Sequence, residues 1–165
     1  MDVSSGHGDR LKKTRRYLMN TAAISPAQTI SGAHSSANAS SYSALAGRVL
    51  IAPLFLLSGV SKVTAPAATI GMIASAGLPF ASVGFGLAVL VEIAGSIALL
   101  AGYRTRFVAA VMALFTLGAA LAFHSNLADQ NQFIHFFKNI SIIGGLLQIV
   151  AFGAGRFSLD GKAGR

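Results

Sequence analysis

The chain of 165 residues has no cysteine and no tryptophan, and its charged residues amount to only 11%. Without cysteine it has no disulfide, no thiolate nucleophile, and no Cys-held zinc or iron–sulfur cluster of its own. Any redox chemistry therefore needs a bound cofactor or a partner subunit. An average soluble domain carries roughly 25% charged residues, so the deficit points to lipid as the solvent. Apolar residues take the place of charge: they make up 53% of the chain, and the mean hydropathy is +0.64.

The net charge of +8 suggests nucleic acid until its distribution is read. Four apolar runs, at about 46–63, 83–101, 107–123 and 134–152, each approach the roughly 20 residues that span a bilayer. Threading them back and forth puts eleven of the thirteen Lys and Arg on one side and only Lys62 and Lys138 on the other. That is the positive-inside pattern, which predicts a multi-pass protein with both termini in the cytoplasm and not a nucleic-acid footprint. The fold class predicted is all-α: an antiparallel four-helix membrane bundle. The turn between the second and third runs, Gly102 to Arg106, is so short that those helices must be antiparallel neighbours. A short interfacial helix is predicted within 65–82, around Thr69 to Ile73.

Residues 1–44 are polar, rich in Ser, Ala and Thr, with a basic cluster at Arg10, Lys12, Lys13, Arg15 and Arg16. Their composition predicts a disordered tail. Two readings stand for it: a cytoplasmic tail that helps fix orientation, or an Arg-rich, acid-poor organelle transit peptide. The start of the natural chain is also open, with Met19 as an alternative. Residues 161–165 form a short C-terminal tail.

Glu92 is the residue that stands out. It lies alone among apolar side chains in the run 83–101, where a carboxylate costs about 2.5–3.5 kcal/mol on insertion scales. It must therefore face protein. The spacing i, i+4, i+8 puts Gly84, Ala88, Glu92 and Ser96 on one stripe with Gly95 alongside, and such small residues let a second helix approach. On the first run Ile51, Phe55, Ser58 and Lys62 share a face, with Ser61 beside it. On the fourth Lys138, Ser141, Gly145 and Gln148 line up, with Asn139 next to Lys138. Chain direction gathers Lys62, Lys138, His124 and His135 in the outer half, above Glu92. The expected arrangement is an outward-opening cavity, basic at its mouth and acidic at its floor. Either lysine begins roughly 9–11 Å above Glu92 and reaches it only by extension.

Each of these residues also has a structural role to set beside a functional one. Glu92 can lock the bundle as an ion-pair partner, or handle protons and ligand. Lys62 and Lys138 can snorkel to headgroups, and the serines and Gln148 can bond between helices. His124 and His135 suit an interface better than a haem or metal site, because no metal-binding spacing surrounds them; no metal is predicted. Gly144-Gly145 reads as close packing or a kink, not a phosphate loop.

The order of RVLIAPLFLLSGVSK at 48–62, AGLP at 76–79, EIAG at 92–95, GYRTR at 102–106, Phe123-His124, FFKN at 136–139 and GRFSLD at 155–160 resembles the DoxX family of small bacterial membrane proteins. The likeness covers about residues 46–160. It implies a four-helix inner-membrane protein and places Lys62, Glu92, Lys138 and Asn139 among the family's recurrent polar positions. It also implies a link to membrane redox complexes, including a quinone-reducing thiosulfate oxidase and an assembly tied to oxidative-stress defence. Fold likeness alone carries chemistry weakly. Three functions follow as expectations: a quinone- or anion-holding subunit working with a redox partner, a structural scaffold, and a transporter. The last needs a homo-oligomer to supply the paired halves usual in carriers.

Overall fold

The computed structural model describes residues 13–16 and 26–164, with side chains described from 39 onward apart from those at 13–16. Its helices are α1 (Pro26–Thr64), α2 (Pro66–Ser75), α3 (Ala81–Ala101), α4 (Thr105–Phe123), α5 (Gln130–Phe152) and α6 (Leu159–Ala163). Among the described residues there is no strand. Residues from Ser40 onward form one compact unit, described below. Four helices are long and apolar enough to cross a membrane: Ala39–Thr64, Ala81–Ala101, Thr105–Phe123 and Gln130–Phe152.

The helix starts differ from those that hydropathy implies, because capping is polar and hydropathy does not register it. α5 begins at Gln130, ahead of the expected 134, where the Asp129 side chain accepts the Gln132 N–H at 2.9 Å. α4 begins at Thr105, whose N–H and that of Arg104 both donate to the Asp160 carboxylate at 2.8 Å. α1 is helical from Pro26, with Pro26 at the first position, where its missing N–H costs nothing; its membrane-length part starts at Ala39, ahead of the expected 46 and inside the expected tail. The rest of that expected tail lies outside the described residues, apart from a turn of helix at 13–16.

The predicted short helix is α2, with Thr69 and Ile73 buried. α3 ends on Gly102, at φ +69, while Tyr103 N–H returns to Ala98 O. That left-handed stop reverses the chain within three residues, so α3 and α4 pack side by side.

The core mixes alanines with larger apolar side chains. Ala52, Phe55, Leu99, Ala109, Met112, Ala113, Leu146 and Ile149 form one buried cluster drawn from α1, α3, α4 and α5. Close approach depends on glycines: a methyl on Gly59 would lie 2.7 Å from Ile93 Cγ1, and one on Gly95 3.1 Å from Met112 Sδ. Leucines such as Leu50, Leu57 and Leu114 cover the outside of the bundle, as suits a surface solvated by acyl chains.

Candidate functional site

Register on α3 is as expected. Ala88, Glu92 and Ser96 are buried and Gly84 and Gly95 half-buried. Ser96 returns its hydroxyl to the Glu92 carbonyl and so adds no polar group to the site. On α1, Phe55 is buried and Ser58 and Lys62 half-buried on the same side; Ser61 is exposed and takes no part.

Gly59 brings α1 against α3 beside Glu92, and there the polar groups meet. Lys62 Nζ lies 2.9 Å from Glu92 Oε1 and donates to Ser58 Oγ at 2.8 Å, while Ser58 Oγ donates to the same Oε1 at 3.2 Å. Both bonds fall on one carboxylate oxygen. The other, Oε2, is buried without a hydrogen-bond partner. A buried oxygen left unpaired is costly, so this atom is where a proton or a ligand's donor would be accommodated.

The fourth run corrects the expected face. Ser141 and Gln148 are exposed, as is Lys138, whereas Leu146 and Ile149 are buried and Asn139 and Ile142 half-buried. The inward stripe is 139, 142, 146, 149, one residue from the register that polarity suggested. Packing decided this: Leu146 and Ile149 complete the core with Ala109, Met112 and Ala113. Lys138 does not reach Glu92; its ammonium lies 3.0 Å from His135 Nδ1. Of the two lysines, Lys62 makes the pair.

Of the polar residues that the sequence singled out, Ser58, Lys62, Glu92, His124, His135, Lys138 and Asn139 nevertheless line one cavity of ≈ 640 Å³, while Ser61, Ser141 and Gln148 do not. Its walls include Phe55, Leu87, Phe115 and Phe123. His124 stacks on His135 with ring centroids 5.0 Å apart, and its Nδ1 meets Gln132 Oε1 at 2.7 Å, which makes that nitrogen the donor. Among the described residues no three His, Asp or Glu side chains converge on a metal position.

Three contributors were not anticipated. Gln132 orients His124; it sits in the polar first turn of α5 that apolar periodicity passes over. Thr69 and Thr116 also line the cavity, and the Thr69–Ile73 spacing on α2 was a usable signal.

A second polar cluster lies at the other end of α4. Arg48, one of the eleven basic residues assigned above to one side of the membrane, is fully buried. Its guanidinium donates to Leu99 O at 3.2 Å, Leu100 O at 2.9 Å and Phe157 O at 2.6 Å. It satisfies the carbonyl end of α3 while Asp160 satisfies the amide end of α4, so opposite charges complement both helix dipoles at one turn. Burial alone would raise the Asp160 pKa. Hydrogen bonds from Thr105 and Arg104, with the Arg48 charge, outweigh that and hold it below its ordinary value.

Comparison with known proteins agrees with this architecture. A family model described as DoxX matches residues 43–125. The chain is 38% identical over 118 residues to the inner membrane protein YqjF of Escherichia coli (strain K12), a match covering 70% of the chain and 88% of that protein. It is 31% identical over 121 residues to the inner membrane protein YphA of the same organism, covering 70% and 86%. No solved structure matches the chain significantly.

Proposed function

The chain belongs to the DoxX family and is a multi-pass inner-membrane protein, and from that premise we propose that its bundle binds a lipid-soluble redox molecule of the quinone class beside Glu92. In this reading it is the membrane subunit of an oxidoreductase assembly. The observation that carries the proposal is Glu92 itself, a buried carboxylate with one oxygen unpaired, on the lining of a cavity with largely apolar walls.

The residues present suit such a ligand. A quinone ring and tail need apolar room, supplied by Phe55, Leu87 and Phe115. Its carbonyls need donors. Lys62 has three N–H groups and gives two to Ser58 and Glu92, leaving one; the Asn139 amide adds two more. A quinone supplies electron and proton uptake when bound. The chain's part is to hold the ring, exclude water and set the Glu92 carboxylate beside it to exchange protons. The chain has no cysteine to carry electrons itself, so in this reading they reach the quinone from a partner subunit or a second bound cofactor. The eleven-to-two distribution of basic residues supports cytoplasmic termini and a cavity in the outer half of the bilayer.

The test is a titration of the purified chain in mild detergent with a short-tailed ubiquinone. Saturable binding of one molecule per chain is expected, weakened at least about tenfold in Lys62→Met and in Glu92→Gln. The thermal transition of Glu92→Gln should move by only a few degrees. Absence of saturable binding, or binding indifferent to both substitutions, overturns the proposal.

A further inference from the structure

At the end of α4 remote from the histidines, a groove of ≈ 530 Å³ runs between the start of α4 and the chain leaving α5. Arg104, Arg106, Phe107, Phe152 and Gly153 line it, together with Asp160. We propose that this groove seats the headgroup of an anionic phospholipid, its phosphate on Arg104 and Arg106 and its first methylenes against Phe107 and Phe152.

The two halves of the groove differ in chemistry in the way such a molecule does. Phe107 is 68% exposed and Phe152 76% exposed, each where a membrane-length helix starts or ends. Beside them are two guanidiniums that, among the described residues, have no carboxylate partner. Arg106 is folded back into the groove: a methyl on Gly153 would lie 3.3 Å from its Nε. Glycine at 153 leaves room for the guanidinium there, a position that suits a fork presented to phosphate oxygens. Asp160, the one acid on the lining, already accepts from the Arg104 and Thr105 amides and the Thr105 hydroxyl. It stabilises the turn and leaves the groove with a net positive charge. Basic pockets between helices at a membrane surface are a recurrent site for anionic headgroups. The exposed phenyl rings favour a lipid over free phosphate.

The test uses the full chain in mild detergent, with bound phosphatidylglycerol and phosphatidylcholine counted by native mass spectrometry. Phosphatidylglycerol should bind more tightly, and Arg104→Gln and Arg106→Gln should each weaken it about fivefold, leaving phosphatidylcholine unchanged. An unchanged thermal transition in phosphatidylcholine shows that the variants fold. Inorganic phosphate in excess should not displace the lipid. Equal binding of the two lipids, wild-type binding in both variants, or displacement by phosphate each overturns the assignment.

Discussion

Lys62 Nζ stands 2.9 Å from Glu92 Oε1 across 30 residues of chain, and that contact ties α1 to α3 where both carry polar side chains facing inward. The two partners are unequal. Glu92 is 6% exposed and Lys62 26% by side chain, so the lysine has a route to the headgroups and the carboxylate has none.

Lys62→Met should therefore destabilise the bundle more than Glu92→Gln does, by about 3 kcal/mol against about 1, because it strands a buried charge. The double variant should recover most of the loss. A thermal-unfolding cycle in detergent measures this, and additive losses would refute a structural pair. Ligand binding lost in Glu92→Gln despite retained stability separates the functional role from the structural one.

Gly59→Ala should cost about 1–3 kcal/mol, since its methyl meets Ile93 Cγ1 at 2.7 Å and forces α1 away from α3. Gly47→Ala, with nothing within 4 Å, should be neutral or slightly stabilising. Equal unfolding midpoints for the two variants would contradict the packing described.

Arg48→Met should cost roughly 3 kcal/mol or more by removing charged donors from three carbonyls. Arg48→Lys should restore less than half, because an ammonium lacks the planar fork that spans them. Unfolding of both variants against wild type decides this; full rescue by lysine would reduce Arg48 to a simple positive charge.

Asp160 makes stability depend on pH in a defined direction. Its pKa is lower folded than the ordinary 3.8, so the native state favours the ionised form. The stabilisation is complete above that ordinary value and disappears as pH falls through the folded one. The melting temperature of wild type should exceed that of Asp160→Asn at pH 7 and converge with it as the pH drops below about 3.8. A gap unchanged at pH 3 would show that the carboxylate charge is not the stabilising element.

Much of the fold was legible because hydropathy and register are local properties. The Gly84–Ala88–Glu92–Ser96 stripe follows from spacing on one helix, and so does the face holding Phe55, Ser58 and Lys62. Register misled on α5. There Lys138, Ser141 and Gln148 looked inward by polarity, but Leu146 and Ile149 offered more apolar surface to the α4 alanines, and packing took precedence. Arg48 was read by its charge as a topology marker. Its burial depends on the carbonyl end of α3 and the chain at Phe157, both far away in sequence.

By itself, then, the amino-acid sequence determined the solvent, the number of spans, the packing stripes of α1 and α3 and the singular cost of Glu92, since each is set by residues within one helix. Only the tertiary structure decided which lysine pairs with Glu92, that the pairing loads a single carboxylate oxygen, and that Arg48 turns inward. Those outcomes depend on helix stagger and on the approach permitted at Gly59 and Gly102, distances set by several helices together and by none of them alone.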